Sequence, residues 1–154
     1  MTRLSPLNYA FRLLSFRMRS KDEMRERLIK KGYTESEVNE VIEKLERLNY
    51  LNDAEFARLW VKNRVESKPL GRALMRRELK QKGIAPDVIK NVLDESLKGY
   101  DEYEVAKELV LKKISKSKTR DDRFLQRFSG YLARRGFSYE VIQKVLRDVF
   151  DKCT

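Results

Sequence analysis

Three segments of this chain align on a glycine: Leu28-Ile-Lys-Lys-Gly32-Tyr, Leu79-Lys-Gln-Lys-Gly83-Ile and Leu132-Ala-Arg-Arg-Gly136-Phe, with the glycines 51 and then 53 residues apart. An internal repeat of this period constrains the fold more than any other feature, because one supersecondary unit must be used three times in series. Each glycine follows a Leu by four residues and precedes a large apolar residue. Downstream, Val38, Ile89 and Ile142 stand six after the glycine, Val41, Val92 and Val145 nine after, and Ile42, Leu93 and Leu146 ten after. Steps of three and four define the buried face of a helix. Each segment therefore predicts a helix with basic residues in its last turn, a glycine free to take positive φ, and a second amphipathic helix close behind.

The start signals agree with this pattern. Ser20-x-x-Glu23 and Thr34-x-x-Glu37 are capping boxes, Asn52-x-x-Glu55 is a related polar cap, Ser138 is placed to cap the last helix, and Pro86 suits a first helical position. A third periodic stretch precedes each pair, around 10–16, 56–65 and 105–114. The expectation is an all-α chain of three tandem three-helix repeats, over 8–51, 52–99 and 100–152, with a polar loop at 116–120 inside the third. A module of about 50 residues buries little apolar surface alone, so neighbours should complete one another's cores in an elongated, curved array.

What the chain lacks narrows its chemistry. It has no histidine, so Ser-His-Asp and Cys-His catalysis and His-bearing zinc sites are impossible. Its one cysteine, Cys153, allows no intrachain disulfide and is expected to be a free thiol near the end of the chain. No phosphate-binding GxxxxGK[ST] or GxGxxG is present, and the glycines are dispersed as helix stops. Asp101-Glu102 and Asp121-Asp122 offer carboxylates for magnesium, but adjacent residues on a helix do not face one another; compensation of a helix dipole is the expected role. With no signal-peptide pattern and no apolar run of membrane-spanning length, the reading is a cytoplasmic, non-enzymatic monomer without cofactor, metal or membrane.

Charge is the informative functional feature. Lys and Arg number 35 against 24 Asp and Glu, a net of +11, and the excess sits in two stretches. One holds Lys62, Arg64, Lys68, Arg72, Arg76, Arg77, Lys80 and Lys82 against two glutamates. The other, from Lys107 to Arg135, includes Lys112, Lys113, Lys116, Lys118, Arg120, Arg123, Arg127, Arg134 and Arg135. Their nets are +6 and +7, so the remainder of the chain is slightly negative. Arg72, Arg76 and Lys80 fall at i, i+4 and i+8, one stripe of a helix. Such a stripe serves either as a solvated face or as a surface for a polyanion; the concentration of charge favours the second. Base reading by the helix after each glycine is disfavoured, since 35–47 carries five Glu against Lys44 and Arg47 and phosphate would repel it. Any nucleic acid would meet the first and second helices with little sequence selectivity. Phe56 and Trp60, four apart, fit either a partner anchor or core, and core is expected; Tyr50-Leu51 is likewise expected in the core between repeats.

Taken together, Arg19-Ser20-Lys-Asp-Glu-Met24 with Lys-Lys-Gly32, Leu48-Asn-Tyr-Leu-Asn-Asp53-Ala-Glu-Phe56-Ala, Gly71-Arg-Ala-Leu-Met-Arg-Arg-Glu-Leu79-Lys-Gln-Lys-Gly83-Ile84 and Leu132-Ala-Arg-Arg-Gly136-Phe137-Ser138 resemble the RecX regulatory protein family, over about residues 7–150. The resemblance implies three tandem three-helix repeats and a modulator that binds RecA recombinase filaments on single-stranded DNA. It implies inhibition of filament growth, ATP hydrolysis, strand exchange and the signal for the SOS response. The alternative, from charge alone, is an autonomous nucleic-acid-binding module without sequence preference.

Overall fold

The structure, a computed structural model, describes residues 3–115 and 122–150. Among the described residues there are nine α-helices and no strand: α1 Pro6–Phe16, α2 Lys21–Lys31, α3 Glu35–Arg47, α4 Asp53–Ser67, α5 Arg72–Gln81, α6 Pro86–Ser96, α7 Glu102–Ile114, α8 Asp122–Arg134 and α9 Tyr139–Phe150. Lys116, Lys118, Arg120, Asp121 and Cys153 lie outside the described residues.

The local chemistry that starts and stops these helices is the chemistry written in the sequence. Ser20 accepts from the Glu23 N–H while the Glu23 carboxylate accepts from the Ser20 N–H, and Thr34 with Glu37 repeats the arrangement at α3. Asn52 Oδ1 accepts from the Glu55 N–H at 3.1 Å, Ser138 Oγ from the Val141 N–H at 3.3 Å, and Asp101 caps α7. The three aligned glycines have φ of 103°, 78° and 88°. At each, the glycine N–H and the next N–H fold back onto carbonyls of the preceding helix: Gly32 to Ile29 and Tyr33 to Leu28, Gly83 to Lys80 and Ile84 to Leu79, Gly136 to Ala133 and Phe137 to Leu132. This is the double closure that left-handed backbone after a helix permits.

The chain forms two compact units, one of Met1–Trp60 with Glu78–Val92, the other of Val61–Arg77 with Leu93–Thr154. The division runs through the middle repeat. In the first unit α1, α2 and α3 pack on one another around Ala10, Met24, Leu28, Val38 and Leu45, all fully buried. In the second, α7 and α8 pack on α9 around Ala106, Val110, Leu132 and Val145, with Phe124, Phe128 and Phe150 in edge and tilted ring contacts. Leu28, Leu79 and Leu132 are each at zero exposure, so the Leu four before each glycine anchors its helix in the core. Burying one such side chain contributes about 2 kcal/mol.

Two aromatic expectations separate here. Phe56 is buried and stacks on half-buried Trp60 at 5.8 Å, whose indole N–H donates to Glu78, so this pair packs as core with a polar contact at its edge. Tyr50 is not core: it is 56% exposed, while its neighbour Leu51 is buried. The chain turns at Asn49, in the left-handed region with φ 61°, and the Tyr50 ring lies edge-on against Phe11.

Candidate functional site

The basic residues fall unevenly on the two units. The first unit has fifteen Lys and Arg against twelve Asp and Glu, a net of +3; the second has twenty against twelve, a net of +8. Of the candidate residues, Lys80 and Lys82 belong to the first unit and the rest to the second. Lys62, Lys68, Arg76, Arg77, Lys80, Lys112, Lys113, Arg123, Arg127 and Arg134 are exposed, and Arg64, Arg72, Lys82 and Arg135 are half-buried. Cations held at a surface facing water remain able to meet phosphate or carboxylate, whereas a cation already paired in its own unit loses that partner when it binds another.

Several of the candidates have internal engagements. The Arg72 guanidinium pairs with Asp94, and its backbone N–H donates to the Glu102 carboxylate. Lys82 Nζ lies 3.3 Å from Glu23 Oε2 and 5.3 Å from the centre of the Trp60 ring. Arg135 donates to the Pro69 carbonyl and stands 4.8 Å from the centre of Tyr131, and Lys113 Nζ lies 3.7 Å from the same ring. Lys112 pairs with Glu108 at 3.5 Å across an exposed helical turn, a contact of a few tenths of a kcal/mol that opposes an external partner little. Arg76, one turn after Arg72 on α5, is exposed with Arg77 beside it.

In the first unit Glu23 meets Arg17, Lys82 and the Ser20 N–H. Burial pushes its carboxyl upward, but the Arg17 hydrogen bond at 2.7 Å, the Ser20 N–H and the charges of Arg17 and Lys82 outweigh burial and hold it below the ordinary carboxylate range. Asp53 is displaced the other way: burial raises it, against the hydrogen bond it accepts from the Lys21 N–H at 2.9 Å. Tyr103 is pushed up to about 12, chiefly by the hydrogen bond its hydroxyl donates to Asp148. These shifts come from packing contacts within each unit. They do not gather into a set of acid, base and nucleophile around one reacting atom.

Composition and helical spacing did not reveal that the glycine turns are contact surfaces as well as helix stops. Within the first unit the fully buried Ser20 hydroxyl, while capping α2, also donates to the Lys82 carbonyl at 2.7 Å. A Cβ on Gly83 would lie 2.3 Å from Asp22 Cβ. Within the second unit the Gly71 N–H donates to the Arg135 carbonyl at 2.7 Å, and a Cβ on Gly136 would lie 2.3 Å from Leu74 Cβ. The start of one repeat's second helix thus receives the glycine turn of the next repeat. The shared spacing of 51 and 53 residues carried a signal for this: Ser20 and Gly71 stand at one register, as do Lys82 and Arg135.

Helical repeats joined turn to helix, with an excess of exposed Lys and Arg, define an all-α tandem-repeat protein. Models of the first, second and third three-helix domains of RecX match residues 7–45, 52–93 and 100–146. The chain belongs to the RecX family. It is 36% identical over 143 residues to the Regulatory protein RecX of Amycolatopsis mediterranei, covering 90% of this chain and 81% of that one. It is 34% identical over 142 residues to the Regulatory protein RecX of Pelodictyon phaeoclathratiforme, covering 92% and 86%. The crystal structure of RecX from Lactobacillus salivarius matches the fold with a TM-score of 0.75 at 23% identity, over 93% of each chain. No helix among the described residues is long and apolar enough to cross a membrane, and none of their His, Cys, Asp and Glu form a group of three placed to hold a metal ion.

Proposed function

We propose that this chain is a non-catalytic regulatory protein that binds RecA recombinase filaments on single-stranded DNA and inhibits their growth, ATP hydrolysis and strand exchange. The observation that carries the reading is the match of all three repeats to one family whose curated members are named regulatory proteins. The exposed cations of the second unit, Arg76, Arg77, Arg123 and Arg134 among them, supply the surface for DNA phosphate and for acidic protein. Binding shifts a filament toward disassembly only if the chain prefers one filament state over another, so affinity for growing and shrinking ends must differ. The chain acts as a monomer.

The test is the rate of ATP hydrolysis by RecA on single-stranded DNA as the chain is titrated in. The rate is expected to fall with less than one chain per recombinase protomer; a constant rate over the whole titration overturns the proposal. The net of +8 in the second unit favours a second reading, an autonomous module for nucleic acid. That reading requires tight DNA binding without recombinase and a steep loss of affinity with salt. Weak DNA binding alone, combined with inhibition of RecA, selects the regulator.

A further inference from the structure

The corner between α1 and α2, within the first unit, sets an exposed ring among arginines. Phe16, the last residue of α1, is 74% exposed, and Met18 just beyond it is 41% exposed. Arg12 stands one turn before Phe16, so the two share a face of α1, a helix that contains no acid. Arg19 donates to the Leu13 carbonyl at 3.4 Å, which brings its guanidinium to the last turn of α1. Burial first, then the charges of Arg17 and of Arg27 on α2, hold Arg19 below its ordinary value, with Glu23 and Tyr9 acting against them. Arg17 is paired with Glu23 and Arg19 is tied to a carbonyl, so these two add only their field to the corner. Arg12 and Arg27 are exposed and make no ion pair or side-chain hydrogen bond among the described residues.

The repeat does not require this corner. The glycine register places Asn63, Ser67 and Glu78 of the second repeat where the first has Arg12, Phe16 and Arg27, and α4 and α5 form there all the same. One exposed apolar side chain is ordinary. A flat ring flanked by unpaired guanidinium groups is the pairing that takes a nucleobase by its face and the neighbouring phosphates by charge. A duplex keeps its bases stacked on one another, and an acidic peptide uses the cations but leaves the ring unmatched. We propose that the α1–α2 corner takes one base of a single-stranded nucleic acid on the Phe16 ring, with the flanking phosphates on Arg12 and Arg27. The inference deepens the filament-regulator reading, on which it rests for the strand being that of the filament, by adding a base contact in the first unit to the phosphate contacts of the second.

The experiment measures the affinity of the full chain, by fluorescence anisotropy, for a labelled oligothymidine of about ten nucleotides and for an abasic strand of the same length, which keeps the phosphates and removes the bases. Phe16→Ala is expected to weaken binding of the oligothymidine by at least about fivefold, the low end for one base stacked on an aromatic side chain, and to leave the abasic strand unaffected. Phe16→Trp is expected to restore the oligothymidine affinity, and Arg12→Gln/Arg27→Gln to weaken both strands by a similar factor. Since all three side chains are exposed, the helical spectrum should not change. Wild-type affinity for the oligothymidine in Phe16→Ala, or an equal loss for the two strands, overturns the inference. So does a loss of filament inhibition in Phe16→Ala with strand binding intact, which would assign the corner to protein. The strand titrations contain no recombinase, so their failure is distinct from a failure of the filament reading, which the ATP-hydrolysis titration of the unaltered chain decides.

Discussion

The two compact units lock a glycine turn onto a helix start with one backbone geometry and two chemistries. In the first, the lock is polar: Ser20 and Glu23 engage the carbonyl and side chain of Lys82, and Arg17 completes the pair. In the second, the lock is backbone on backbone, Gly71 to Arg135, with Gly136 pressed on Leu74. The difference teaches that the join is carried by a carbonyl and a glycine, which leaves side-chain charge free to vary. The first unit places Glu23 at the join and is nearly balanced at +3; the second joins without an acid at that position and carries a net of +8.

The largest expected effect tests the backbone lock. Gly136→Ala puts a Cβ within 2.3 Å of Leu74 Cβ at φ 88°, where an L side chain is strained. Strain and overpacking together should cost about 3 kcal/mol. Gly99→Ala, at φ 77° with open space around it, should cost only about 1 kcal/mol. Chemical denaturation of both variants measures the gap; equal costs would remove the contact role of the turn. Next, Ser20→Ala removes a helix cap and strips the Lys82 carbonyl of its donor, so a loss of about 2 kcal/mol is expected by the same measurement. A loss below 0.5 kcal/mol, the level of an ordinary surface change, would show the polar lock to be dispensable.

A smaller effect on stability, but a large one on binding, should follow from Arg76→Glu/Arg77→Glu/Arg123→Glu in the second unit. These side chains are exposed, so stability should stay within about 0.5 kcal/mol. Affinity for single-stranded DNA or filaments should fall at least tenfold, and the salt dependence of log K should flatten by about 2 if all three meet phosphate. Lys30→Glu in the first unit is the control and should leave affinity unchanged. The smallest effect is in acid. Because the folded-state value of Glu23 lies below its ordinary 4.5, its contribution is complete above that pH and disappears as pH falls through the lowered value. Asp53, raised above 3.8, has the opposite sign: its contribution is present below that value and lost as pH rises through the raised one. Glu23→Gln should therefore reduce stability by about 1 kcal/mol at pH 6, and that loss should shrink as pH falls through the lowered value, read as a denaturation midpoint across pH.

Helices, caps and core were legible because their rules act over three or four residues. Ser20 with Glu23, Pro86 at the head of α6 and the Leu-glycine spacing each carry a local mechanism, and the structure uses every one. The second role of Ser20 was not legible, since its partner carbonyl lies 62 residues away and a capping serine looks the same with or without it. Charge counting found the cationic half of the chain. It could not separate Arg76, which faces solvent, from Arg72, which is paired with Asp94 through an acid on another helix. Tyr50 was misplaced for a related reason: apolar type adjacent to a buried Leu51 suggested core, while the left-handed turn at Asn49 sets the direction of the chain.

The most direct measurement is lysine and arginine footprinting of the chain bound to RecA filaments on single-stranded DNA, compared with the free chain. Protection of Arg76, Arg77, Arg123 and Arg127, with Lys30 and Lys44 left reactive, is the predicted outcome. Protection confined to the first unit, or no protection at any residue under conditions where filaments are intact, would contradict the account.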